Sequence, residues 1–234
     1  HGEANAAWLD GATHVLSSVP PGKQGDPVLQ VFSEILAGRN DLTWIGYLST
    51  TGVYGDTGGE WVDETAPVRA NVPRSQYRAE AEQAWMALLR DHGLPVHLFR
   101  LAGIYGPNRS PLDTIRAGKA RRIDKQSHRF SRIHVHDIAQ VLHASMAKPN
   151  PGAIYNICDD EPEEPAIVTA FGCELLGIEP PSLVPFEEAA KTMTPMGLSF
   201  WQDNRRVRND RIKNELGVKL AYPTYREGLR DLLD

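Results

Sequence analysis

The chain has 234 residues, 41% hydrophobic and 24% charged, with a formal net charge of −5. That balance supplies a core and excludes the polar, highly charged composition of disordered chains. The acidic excess argues against a nucleic-acid partner. No apolar run approaches the roughly 18 residues of a membrane span, and the opening residues show no basic-apolar-small signal pattern.

In chain order, the first strand is predicted over 13–19, stopped by Pro20, Pro21 and Gly22. A helix follows over 26–36, with Asp26 as N-cap, Pro27 at the first helical position, and Leu29, Phe32 and Leu36 at helical spacing. A second strand, 43–49, runs into the small polar cluster Ser49-Thr50-Thr51-Gly52. After a Gly-rich loop comes a long helix over 74–92, with Gly93 placed for a left-handed cap. The next strand, 95–101, leads into a turn at 103–107. Farther on, a strand over 131–135 precedes a helix capped by Asp137 and Gln140, and 153–158 is a further strand. The acidic, Pro-rich stretch 159–165 reads as a surface loop. Beyond Pro180, short helices at 186–191 and 209–216 are broken by Pro185, Pro195 and Pro223, which fits a smaller lobe.

Strands alternating with helices define an α/β fold with a doubly wound, mainly parallel sheet of Rossmann type. The expected division puts 1–108 and 133–158 in the sheet domain, with 109–132 and 159–234 in a small, mostly helical lobe. The two cysteines, Cys158 and Cys173, have neither metal-ligand spacing nor a disulfide framework, so a cytoplasmic setting is expected.

Ligands of doubly wound sheets bind at the carboxyl ends of the strands. Three such ends are built from small residues: Ser17-Ser18-Val19-Pro20, Ser49-Thr50-Thr51-Gly52 and Ala102-Gly103-Ile104-Tyr105. They either leave room for a flat ligand or merely make tight turns. Tyr77 shares a helix face with Arg74, Glu80 and Ala81. A phenol of ordinary pKa near ~10 beside a hydroxyl such as that of Thr50 can move a proton when a cation is close. The plainer alternative is that Tyr77 is a half-buried packing residue. His134 and His136 alternate on a predicted strand, so they point to opposite faces and no metal site is expected.

The segments L-S-T-T-G-V-Y-G-D (48–56), Y-R-A-E-A (77–81), L-F-R-L-A-G-I-Y-G-P (98–107), F-S-R-I-H-V-H-D-I-A (130–139) and Y-N-I-C (155–158), with the terminal E-L-G-V…Y-P-T-Y-R-E-G-L (215–229), occur in one order along the chain. Together they resemble the extended short-chain dehydrogenase/reductase superfamily, the NAD-dependent epimerase/dehydratase group, and closest an atypical subgroup of it. The resemblance implies an oxidoreductase or epimerase that uses NAD or NADP on a small hydroxyl or carbonyl substrate. It places Thr50 on the catalytic Ser/Thr and Tyr77 on the catalytic Tyr. Ser17, Ser18, Val19, Pro20, Ser49, Tyr77, Leu101, Ala102 and Gly103 fall along the cofactor.

Two departures shape these expectations. The family's Tyr-x-x-x-Lys motif reads Tyr77-Arg78-Ala79-Glu80-Ala81, so Ala81 stands where the lysine belongs and Arg74 is the candidate replacement cation. The opening Gly-x-Gly-x-x-Gly unit is also missing. The first strand corresponds to the family's fourth, so about two strand-helix units, roughly 60 residues, are expected to be absent in an N-terminally truncated chain. Dinucleotide binding by this stretch alone is expected to be weak or absent. A non-catalytic dinucleotide-binding sensor of the same fold is the alternative, and a ligand-free scaffold a third possibility. Phe130 occupies the place of the family's diphosphate-binding arginine, with Arg129 and Arg132 flanking it either as anion contacts or as solvated charges. Trp85, Met86 and Leu89 would serve a homodimer contact or the core.

Overall fold

The computed structural model describes residues 5–233. The first half comprises β1 (His14–Ser17), α1 (Pro27–Ala37), β2 (Trp44–Thr50), β3 (Trp61–Val62), α2 (Pro73–His92), β4 (Val96–Leu101), β5 (Gly103–Tyr105) and α3 (Pro111–Arg116). Then come β6 (Arg122–Asp124), β7 (Arg132–His134), α4 (Val135–Ala147), β8 (Ile154–Ile157), α5 (Pro165–Leu176) and β9 (Leu183–Pro185). The chain closes with α6 (Phe186–Ala190), α7 (Pro195–Phe200), β10 (Arg206–Val207), α8 (Asp210–Asn214) and α9 (Tyr225–Asp231).

The central sheet has four parallel strands in the order β1-β2-β4-β8. Successive side chains of a strand point to opposite faces, and here both faces are covered. Ile45, Tyr47, Val96 and Leu98 pack with Leu29 and Leu36 of α1 and Trp85 and Leu88 of α2. Their alternates Trp44, Phe99 and Leu101 pack with Ile138, Val141 and Leu142 of α4. This two-sided burial explains why the strands read as nearly continuous apolar runs. Each such side chain contributes about 1.5–3 kcal/mol, so the sheet is a rigid platform for the loops at its carboxyl end.

Local signals end the helices where the sequence predicts. Asp26 Oδ1 accepts from the backbone N–H groups of Val28 and Leu29 at 2.9 and 3.0 Å. Gly93 closes α2 at φ 70°, a conformation that costs glycine least.

Several expectations are corrected. The first strand stops at Ser17, so Ser18, Val19 and Pro20 lie beyond it and are exposed. The helix expected to start at Asp137 starts at Val135, with His134 as its cap. The fully buried Asp137 carboxylate instead accepts from the backbone N–H groups of Ala221 and Tyr222 at 2.8 and 3.1 Å, tying the C-terminal stretch to α4. His136 is helical, so the two histidines do not alternate on a strand, and both rings lie against Tyr222.

The stretch 159–165 is not a free loop. Asp159 is buried, Glu163 pairs with Phe130 in an antiparallel bridge, and Lys213 and Arg226 neutralise Asp160 and Glu161. A second core joins Tyr105, Leu112, Val168, Tyr225 and Leu229 beside α3, α5 and α9. The C-terminal stretch does not belong wholly to that lobe, because Ile212, Leu216 and Val218 pack on the central sheet.

Candidate active site

Strand β2 delivers two hydroxyls to opposite sides of the sheet. The Thr50 hydroxyl oxygen accepts the Gly52 N–H at 3.1 Å, capping the 3₁₀ turn Thr51–Tyr54 and leaving its own O–H free to donate. A Cβ at Gly52 would stand 2.8 Å from Ser75 Oγ and 3.3 Å from Thr50 Oγ1. The first turn of α2 therefore lies directly against the Thr50 loop, and only glycine fits between them.

On the other face, Ser49 donates to Glu82 at 2.6 Å. The Glu82 carboxylate also receives Arg100 Nε and Nη2 at 3.0 and 2.7 Å. Arg100 stacks over the Tyr54 ring at 4.8 Å, and Tyr54 donates to Asn156 at 2.7 Å. Burial opposes the Arg100 charge, but its hydrogen bond and attraction to Glu82 outweigh that and hold the guanidinium above its ordinary pKa. Burial likewise pushes the Tyr54 phenol up. This buried network fixes β2, α2, β4, β8 and the Thr50 loop relative to one another.

A cleft of about 950 Å³ opens over these strand ends. It collects Ser18, Ser49, Thr50, Leu101, Ala102 and Gly103 from the expected site, together with Arg74. Ser17, Val19, Pro20 and Tyr77 do not line it. Tyr77 is half-buried and lies about 120° around α2 from the face centred between Arg78 and Glu82. That rotation is why the expected Tyr77–Thr50 pair is not assembled in the cleft. Ala81 packs in the core between α2 and the sheet.

The α2 residues that do reach the cleft are Arg74, Ser75 and Arg78. Arg74 and Arg78 are four apart, the spacing of the family's tyrosine and lysine, so the cleft-facing register lies three residues before the one read from Tyr77. Arg78 Nη1 donates to the Leu48 carbonyl at 2.6 Å and to the Tyr47 hydroxyl at 3.1 Å. Arg78, Ser75 and Glu82 were missed in the sequence; their signal is the i, i+4 series Arg74-Arg78-Glu82.

The remaining wall carries Arg109, Arg121, Arg129, Arg132 and Arg205. Only Asp113 and Asp203 oppose them, so the cleft is cationic in a chain of net charge −5. Arg129 is paired with Glu163, Arg205 with Asp203, and Arg132 donates to the carbonyls of Phe130 and Glu163. Phe130, Phe200 and Trp201 form an aromatic side of the cleft, with His128 stacked behind Trp201 at 5.4 Å. Among the described residues no histidine, lysine or cysteine lines it. The Tyr105 phenol does, but burial and then the charges of Asp159 and Asp137 push it far above its ordinary pKa, so it can donate and cannot serve as a base.

The residues fit the nicotinamide end of a dinucleotide. Ser17 ends β1 with a buried hydroxyl that has no partner among the described residues. Gly103 is exposed on the cleft, and Ala102 and Thr50 keep the neighbouring strand ends narrow. Ser18, Thr50, Arg78 and the 101–103 segment, all lining the cleft, would hold that group. Among the described residues no group of three or more His, Cys, Asp or Glu side chains could hold a metal ion, and no helix is long and apolar enough to cross a membrane.

A parallel sheet with helices on both faces and a cationic cleft over its carboxyl ends defines a Rossmann-type, nucleotide-binding class of fold. Within that class the chain belongs to the NAD dependent epimerase/dehydratase family, whose model matches residues 36–158. It is 32% identical over 182 residues to Protein YeeZ of Escherichia coli strain K12, covering 76% of this chain and 58% of that protein's length. A functionally unknown conserved protein from Silicibacter pomeroyi DSS superposes with a TM-score of 0.90 at 54% identity, covering 96% of this chain and 78% of that one. A UDP-glucuronic acid 4-epimerase from Bacillus cereus, in complex with UDP-glucuronic acid and NAD, has a TM-score of 0.75 at 15% identity, covering 97% and 77%. That last likeness is one of fold.

Proposed function

We propose that this protein is an NAD(P)-dependent oxidoreductase or epimerase-type protein acting on a hydroxyl or carbonyl group of an anionic small molecule. The observation that carries this reading is the position of the cationic cleft over the strand ends of a sheet belonging to an NAD-dependent family. NAD or NADP, when bound, supplies hydride exchange. Thr50 donates its free O–H to the substrate oxygen, and the Arg74 guanidinium adds positive charge to the same cleft. Arg78 clamps the end of β2 through the Leu48 carbonyl and so holds Thr50 in place.

Arginine stays charged at all working pH values and is no base. Among the described lining residues there is no histidine, lysine or cysteine, and the two carboxylates, Asp113 and Asp203, are held by Ser110 and by Asn71 and Arg205; this favours a second reading, a dinucleotide-binding sensor or regulator with the chemistry lost. Titration of the full-length protein with NADH and NADPH, followed by a panel of carbonyl compounds and sugar nucleotides, separates the two. Turnover of any panel member supports the enzyme; binding without turnover supports the sensor; no binding refutes both.

A reducing, cytoplasmic setting accords with two free, buried cysteines. Neither nucleic acid nor membrane is part of the reading. A homodimer through the outer side of α2 is, although Trp85 is fully buried in the core and cannot contribute to it.

A further inference from the structure

Three arginines that line the cleft, Arg74, Arg78 and Arg205, are not equivalent. Arg78 is committed to the Leu48 carbonyl and the Tyr47 hydroxyl. Arg205 is committed to Asp203 and the Gly55 carbonyl at 3.0 and 3.1 Å. Asp203, the acid on this side of the cleft, also accepts from Asn71 Nδ2 at 2.8 Å. Arg74 alone of the three has neither an ion pair nor a hydrogen bond among the described residues. It is exposed, it lines the cleft, and its guanidinium carbon sits 4.3 Å over the centre of the Phe200 ring. Phe200 is itself half exposed.

A guanidinium seated over an aromatic ring, with no other partner among the described residues, keeps N–H donors free, and those donors match a planar carboxylate with two parallel hydrogen bonds. The contact of Ser75 with the Thr50–Gly52 loop puts this first turn of α2 beside the Thr50 hydroxyl. We infer that Arg74 is a carboxylate receptor, and that the substrate of this cleft carries a carboxylate next to its reacting alcohol or carbonyl carbon. The inference rests on the functional reading above for the reacting oxygen and narrows that reading to hydroxy acids and oxo acids.

The test is calorimetric titration of the cofactor-free protein with lactate, with propane-1,2-diol, which has a CH₂OH in place of the carboxylate, and with inorganic phosphate. Lactate is expected to bind at least about ten-fold more tightly than the diol, the strength of a charge-assisted pair. Arg74→Gln is expected to erase that preference. Arg90→Gln, which removes the same charge from the far end of α2, is expected to keep it. Arg74→Lys should fall between them, because the charge remains and the fork is lost.

Equal binding of lactate and diol, a lactate preference that survives in Arg74→Gln, or full retention in Arg74→Lys overturns the inference. Phosphate binding more tightly than lactate and lost in Arg74→Gln overturns the carboxylate assignment. Circular dichroism checks that each variant is folded. Because no cofactor is present, failure to bind NADH would refute the functional reading while leaving an Arg74-dependent lactate preference intact.

Discussion

Replacing Glu82 with alanine tests whether the buried network beneath Thr50 holds the site together. The Glu82 and Arg100 side chains are 5% and 4% exposed, and the carboxylate takes two guanidinium N–H groups and the Ser49 hydroxyl. Arg100 Nη1 already lacks a partner, so Glu82→Ala would strand a buried cation with only the Tyr54 ring for compensation. Breaking one side of such a pair costs about 3–5 kcal/mol. For a chain of this size that lowers Tm on the order of 10 °C. Urea unfolding and thermal circular dichroism read the loss. The double variant Glu82→Leu/Arg100→Met should recover much of it, since no unpaired charge remains, and the cycle should show strong coupling. A loss below about 1 kcal/mol for Glu82→Ala, or simple additivity in the double variant, would refute the network as the element that fixes the Thr50 loop.

Other consequences are open to measurement. Tyr77→Phe should leave NADH affinity and any turnover unchanged, because Tyr77 does not line the cleft; a ten-fold or greater loss, about 1.4 kcal/mol, would return Tyr77 to the chemistry. Burial, aided by the Lys125 charge, pushes His128 down to about 4. The unfolded chain binds that proton at a pH near ~6.5, so stability is full above that pH and falls as pH drops toward 4, by on the order of 3 kcal/mol. His128→Phe, which keeps the stack on Trp201, should flatten this part of the pH–stability curve, and an unaltered curve would contradict the assignment. Gly46→Ala would drive a methyl into the Trp44 indole; a loss of about 1–3 kcal/mol is expected in urea unfolding, and a neutral effect would show that the indole is free to move.

The parallel sheet was legible because β2, β4 and β8 are apolar on both faces, a pattern that few other environments tolerate. The long helix was legible for a simpler reason: Pro73 and Gly93 bracket it. Its orientation was not. The inner face of α2 carries the polar residues Ser75, Arg78 and Glu82, the last two hydrogen-bonded to β2, so hydrophobic periodicity could not reveal which side meets the sheet. Attention to a tyrosine centred the reading on Tyr77, whereas the α2 residues that line the cleft are Arg74, Ser75 and Arg78. The 159–165 run misled for a related reason: its acids meet cations distant in sequence, Arg129, Lys213 and Arg226, and no local rule anticipates those pairings. The small residues at the strand ends line the cleft where the strand is central, at 49–52 and 102–105. They were over-read at Val19 and Pro20, where β1 has already ended.

Amide hydrogen exchange in the full-length protein with and without saturating NADH tests the central claim most directly. The account predicts slowed exchange concentrated at 48–52 and 101–104, with little change along the outer face of α1. Protection confined to other segments, or none at saturating NADH, would contradict a dinucleotide site over these strand ends.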